Sequence, residues 1–144
     1  MRVDRAFFVL IAGAMCWAQT GKVEKIKVHG KSLEGNLEGD SADRDVFVYL
    51  PPSYATDANR RYPVVYFLHG YGVEAERYWN LMTVPATADK SMGDGAVREF
   101  ILVHPDADTI YNGSMYSNSP TTGDWLGLQS VSYTHLTLPT IYSV

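Results

Sequence analysis

Apolar and polar positions fall into a regular order along this chain. Val23 to Val28 (VEKIKV) alternates apolar and charged residues, the pattern of a half-buried strand. Ser32 to Leu37, between turn-forming Gly30, Gly35 and Gly39, allows one more short strand. Asp45 to Leu50 (DVFVYL) is β-branched and aromatic and predicts a strand. Pro51-Pro52 ends it, because proline cannot donate to a ladder. Ser53 to Arg61 reads as a polar loop. Pro63 to Leu68 is apolar throughout, which predicts a strand covered on both faces, in a parallel sheet with helices on either side. Glu74 to Met82 predicts a helix, and Pro85 fits the first turn of the next, where its missing N–H costs nothing. Gly93-Asp94-Gly95 breaks that helix. Phe100 to Val103 is a second fully apolar strand, stopped by His104-Pro105. Strand, helix, strand at this spacing predicts a βαβ unit, hence an α/β fold with antiparallel edge strands followed by a parallel pair. The strands expected to flank Phe100 to Val103 are absent, so an open sheet edge is expected there.

Composition narrows the class. The chain has 144 residues and is 46% hydrophobic and 19% charged, which fits at most one globular domain. Its formal net charge of -4 provides no basic footprint, and nucleic acid is not an expected partner. At the N-terminus, Arg2 and Arg5 precede an uncharged apolar run from Ala6 to Ala18, too short to span a bilayer comfortably. The expected reading is a signal peptide over residues 1–18 and a secreted or periplasmic protein with no stable membrane association after cleavage. The alternative is a buried N-terminal helix. Cys16, the single cysteine, falls in that segment, so an exported chain would rely on its core rather than on disulfides.

Chemistry concentrates after the apolar strand. Gly70 and Gly72 flank Tyr71 at its tip, where glycine permits unusual backbone angles and close approach of a ligand. Acyl-transfer enzymes need backbone N–H groups aimed at the oxygen that becomes negative, each worth roughly 3–4 kcal/mol. By spacing, the N–H of Tyr71 is the candidate donor and Gly70 its supporting loop residue. The alternative is a tight turn with no catalytic role. Asp106 to Asp124 forms a long polar loop after the second parallel strand, where α/β folds build their sites.

DVFVYLPPSY, YPVVYFLHGYG and FILVHPDADTIYNGSMYSNSPTTGDW occur in that order. Over Lys22 to Trp125 this resembles the putative-esterase branch of the α/β-hydrolases, which includes esterase D, feruloyl and acetyl-xylan esterases and mycolyltransferases. The resemblance implies a serine nucleophile with an acid and a histidine, and no metal or other cofactor. It aligns the oxyanion loop with His69-Gly70-Tyr71-Gly72, the apolar strand ending in Pro-Asp with Phe100 to Asp106, and a Ser/Thr-Gly-x-Trp stretch with Thr122 to Trp125. The implied partner is a small-molecule or carbohydrate-linked ester. Tyr111, Tyr116 and Trp125, with Tyr71, are the candidate contacts for a sugar or phenolic acyl group, ordinary loop packing being the alternative.

The rest of the machinery does not appear. A Gly-x-Ser-x-Gly elbow should carry the nucleophile. Gly30 to Glu34 and Gly39 to Asp43 both fail at the last position, and Ser114 and Ser117 lack flanking glycines at the required spacing. His29, His69, His104 and His135 lack zinc-site spacing. His69 and His104, each following an apolar strand, read as loop-bonding histidines rather than bases. Asp106-Ala107-Asp108 departs from a calcium loop at Ile110 and reads as turn capping. Asn112-Gly113-Ser114 matches a glycosylation acceptor. After Asp124 no charged residue occurs through Val144, and Leu126 stands where the family has an acidic residue. Ser130 to Thr140 resembles, residue by residue, a translated transposon adapter used in DNA library preparation; the alternative is a strand-forming tail. The expected organisation is therefore residues 1–18 as signal peptide, 19–129 as an incomplete α/β-hydrolase domain and 130–144 as a non-native tail. The chain itself is expected to be inactive. An acyltransferase of the same fold and a non-catalytic carbohydrate-binding or surface module are the other readings.

Overall fold

The computed structural model describes residues 20–129, so the proposed signal peptide and the adapter-like tail lie outside the described residues. Strand β1 (Lys22–His29) pairs antiparallel with β2 (Asp43–Leu50) along its whole length, from Lys22 opposite Leu50 to His29 opposite Asp43. Strand β3 (Val64–Tyr66) leads into helices α1 (Ala75–Leu81) and α2 (Val84–Gly93), and the chain returns as β4 (Ile101–Pro105), parallel to β3. The sheet order is β1-β2-β4-β3, with β2 and β4 antiparallel. A two-stranded ribbon, β5 (Asn118–Ser119) and β6 (Gly123–Asp124), follows in the long loop.

Alternation along the strands sorts the core into two layers. Val46, Val48 and Leu50 pack with Ile101 and Val103 on one face, joined by half-buried Tyr54, Tyr62 and Tyr66. Phe47, Tyr49 and Leu102 point to the opposite face, where Ala75 and Trp79 of α1 and Val84 and Ala88 of α2 cover them. Phe47 stacks on Trp79 with ring centroids 5.7 Å apart. A third cluster of Leu33, Ala107, Trp125 and Leu128 anchors the loops that follow β4.

Four expectations are corrected. Ser32 to Leu37 forms no strand; Lys31–Leu33 is a 3-10 turn, because Leu33 N–H donates to Gly30 C=O and its side chain must turn inward to Trp125. The apolar run Pro63 to Leu68 is not covered on both faces: among the described residues β3 is the edge strand, with Val64 39% and Val65 44% exposed. Both helices lie on one face of the sheet rather than on either side. Finally, β4 is not the open edge. It runs through His104 and Pro105 and is flanked by β2 and β3, since Val48 and Tyr66 both pair with Val103. Proline is tolerated there because it is the last residue of the strand.

Candidate functional site

The carboxyl ends of β3 and β4 lie side by side, and the loops leaving them are tied together. The His69 ring is buried, and its Nε2 accepts the Ala107 N–H at 2.8 Å. A backbone amide can only donate, so Nε2 carries the lone pair and Nδ1 the proton. That proton is donated to Gly70 C=O at 3.0 Å. Asp106 Oδ1 lies 3.7 Å from Nε2 and faces no proton there, so the two form no ion pair. Tyr116 O–H donates to His69 C=O at 2.9 Å, and burial raises its pKa above the ordinary tyrosine value.

The turn itself is Gly70-Tyr71-Gly72. Gly72 has φ +76°, a left-handed conformation that a side chain would strain, and its N–H donates to Asn112 C=O at 2.6 Å. At Gly70 a Cβ would meet nothing within 4 Å, which leaves open space beside the backbone. The Tyr71 ring is 65% exposed, and its hydroxyl donates to Tyr111 C=O at 3.0 Å. Among the described residues the Tyr71 N–H donates to no acceptor. The facing loop is tightly wound: Asn112, Gly113, Met115 and Tyr116 all have positive φ. A Cβ on Gly113 would come within 3.0 Å of the Tyr71 ring, so glycine there is a condition of the loop contact.

Behind the turn, His104 joins three elements. Its Nδ1 faces Phe67 C=O at the end of β3, and its Nε2 lies 3.1 Å from Ala75 C=O in α1. A neutral ring can donate to only one of these. Burial among Phe67, Trp79, Tyr78 and Phe47 lowers its pKa, so it is held neutral. Both histidines are structural ties, as their positions in sequence indicated. Asp106 caps turns as expected: its Oδ1 accepts the N–H groups of Ala75 at 3.2 Å and Asp108 at 3.4 Å. Arg44 was not singled out by the sequence, yet its guanidinium binds Asp106 and the carbonyls of Asp106 and Asp108.

The four candidate contact residues do not form one surface. Tyr71 and Tyr111 are exposed together on the outside of the loops. Tyr116 is half-buried against the His69 ring, with centroids 5.6 Å apart. Trp125 has no exposed surface; its Nε1–H donates to Thr122 C=O at 2.7 Å and Arg44 lies 5.0 Å over its ring. An open cavity of about 400 Å³ is lined by residues that include Arg44, Phe47, Glu74, Asp106, Asp108 and Ile110, and by none of the four candidates. Its acidic wall does not favour a developing anion. Among the described residues no group of three or more His, Cys, Asp or Glu could hold a metal ion, and no helix is long and apolar enough to cross a membrane.

Residues 41–126, more than half of the chain, match the family described as putative esterase. The chain belongs to this family. Its fold agrees with that assignment. Over 87% of its length it superposes on a ferulic acid esterase with TM-score 0.63 and 23% identity. Over 69% it matches a mutant of the feruloyl esterase module from Clostridium thermocellum complexed with sinapinate, with TM-score 0.51 and 21% identity. The chain spans 43% of the length of the first and 31% of the second. At these identities the likeness establishes the esterase fold, an α/β-hydrolase sheet, and leaves the chemistry to the residues. No curated protein matches.

Proposed function

We propose that this esterase-family chain is the N-terminal part of an exported serine carboxylic ester hydrolase, and that the Tyr71 N–H is one of its oxyanion donors. The observation that carries the reading is the Tyr71 amide itself. It sits in a two-glycine turn beyond the carboxyl end of a parallel strand, and no acceptor within the described chain uses it. In the complete enzyme a serine attacks the ester carbonyl, a histidine moves the proton to the leaving alcohol, and the carbonyl oxygen, now negative, accepts from Tyr71 N–H. The substrate is a phenolic or carbohydrate-linked ester; the phenolic part is supported by the likeness to a ferulic acid esterase and to a feruloyl esterase module complexed with sinapinate. The exposed Tyr71 and Tyr111, tied by the bond from Tyr71 O–H to Tyr111 C=O, offer an apolar contact for the acyl group.

The chain as it stands carries no serine elbow, so the donor has no intermediate to stabilise. The purified chain is expected to show no turnover of nitrophenyl esters or methyl ferulate. Turnover abolished by a serine-directed inhibitor would overturn that expectation. In the full-length gene product, Tyr71→Pro, which deletes the N–H, is expected to lower kcat about 10²–10³-fold, whereas Tyr71→Ala, which keeps it, spares most of kcat. Equal rates for the Pro variant and the parent would remove Tyr71 from the mechanism.

A further inference from the structure

We infer that His69 is a positioning residue that aims the Tyr71 N–H, an inference that rests on reading this amide as the oxyanion donor. Gly70 C=O and Tyr71 N–H belong to one peptide unit. That unit is planar and trans, so its carbonyl and amide point in opposite directions. Whatever holds the carbonyl of Gly70 therefore sets the direction of the Tyr71 amide. His69 Nδ1–H holds it, at 3.0 Å.

The ring that does so has little freedom of its own. Ala107 N–H, 2.8 Å from Nε2, forbids a proton on that nitrogen and so obliges Nδ1 to carry it. The residue's backbone is held as well, by Tyr116 O–H on His69 C=O at 2.9 Å. Side-chain exposure of 2% keeps water from competing for either nitrogen. The Gly70-Tyr71 peptide needs such a tie. Gly70 has no Cβ to restrict its backbone, and a Cβ there would touch nothing, so packing does not hold the Gly70 side of the unit. The chain of command runs from Ala107, two residues past β4, through one imidazole to the carbonyl of Gly70, and from it to the amide of Tyr71. An oxyanion donor must be aimed before the charge develops, and this linkage does so without occupying the donor.

The test uses the full 144-residue chain, labelled with ¹⁵N. Two-bond ¹⁵N–¹H correlations of the unsubstituted chain are expected to show His69 protonated at Nδ1 and bare at Nε2; the reverse tautomer overturns the inference without any variant having to fold. Residual dipolar couplings then report the direction of the Tyr71 N–H. In His69→Asn the side-chain amide can still reach Gly70 C=O, and the Tyr71 coupling is expected to stay near its parent value relative to those of β4. In His69→Gln the acceptor for Ala107 N–H is kept but the Gly70 bond is lost, and the Tyr71 coupling is expected to fall by half or more through averaging. Retention in the Gln variant, or equal loss in both, overturns the inference. If the couplings behave as stated but Tyr71→Pro leaves the full-length enzyme active, the functional reading fails and the aiming linkage stands.

Discussion

Arg44 Nη2 lies 2.8 Å from Asp106 Oδ2, joining the second residue of β2 to the residue just past β4. The Arg44 side chain is 9% exposed and that of Asp106 22%, so the pair is largely withdrawn from water. The same guanidinium serves Asp106 C=O at 3.2 Å and Asp108 C=O, and covers the Trp125 ring. Truncating one partner leaves the other charge poorly solvated, which costs about 3–5 kcal/mol for a fully buried pair and less for one with residual exposure. Arg44→Met is therefore expected to lower the urea midpoint substantially. Arg44→Lys should recover only part of it, because an ammonium cannot match the planar fork that meets these acceptors. An unchanged midpoint for Arg44→Met would show that the loop after β4 stands without this tie.

Trp125 and Tyr111 separate packing from surface contact. Trp125 is fully buried with Leu33, Ala107 and Leu128. Trp125→Ala is expected to cost about 3–5 kcal/mol of stability. Tyr111 is 62% exposed, and Tyr111→Ala should change stability by no more than about 0.5 kcal/mol. Chemical denaturation of the two variants side by side decides the matter. Comparable losses would mean that Tyr111 is part of the core and not available to a ligand.

The open edge at β3 makes self-association a measurable property. Val64 and Val65 are exposed on a strand that has a neighbour on one side only among the described residues, a template for another strand. Light scattering at rising concentration is expected to show association of the chain. Val65→Lys should suppress it while moving the melting temperature little, since an edge charge opposes pairing without touching the core. Persistent association in that variant would place the sticky surface elsewhere.

His29 and His104 should titrate on opposite sides of the ordinary histidine value of 6.5. Hydrogen bonds to Glu34 and Asp43 raise the pKa of His29, with ring nitrogens 2.8 and 2.6 Å from their carboxylates. Its folded value exceeds its unfolded one, so its stabilisation is present in full below 6.5 and fades as pH rises through the raised value. The group is well exposed, and added salt should weaken the effect. Burial shifts His104 the other way. As pH falls below 6.5 the unfolded chain takes up a proton that the folded chain refuses, and stability is lost down to the depressed value. Titration of the ring C–H signals by NMR checks both signs; two histidines moving in the same direction would contradict the assignment of causes.

Much of this architecture was legible from periodicity. VEKIKV alternates because β1 has a single covered face, and DVFVYL does not because β2 is covered on both. The parallel return from β3 to β4 followed from two apolar runs separated by a helical stretch. The apolar run before His69 was misleading for a definite reason. Hydrophobicity records the surface a strand is built to bury, and Val64 and Val65 have no neighbour among the described residues to bury them. Leu37 to Ser32 misread as a strand shows the same limit, since short apolar spacing cannot separate a 3-10 turn from a strand.

By itself, then, the order of residues determined the elements, the parallel pair and the bare turn at Gly70-Tyr71-Gly72, because these depend on backbone sterics and on which side chains avoid water. Only the tertiary structure decided that β4 is central, that Trp125 lies beneath the surface while Tyr71 lies on it, and that Ala107 dictates the tautomer of a histidine 38 residues away. Those outcomes depend on hydrogen-bond partners brought together across the sheet, and a donor's partner is a matter of position in space that no local pattern encodes.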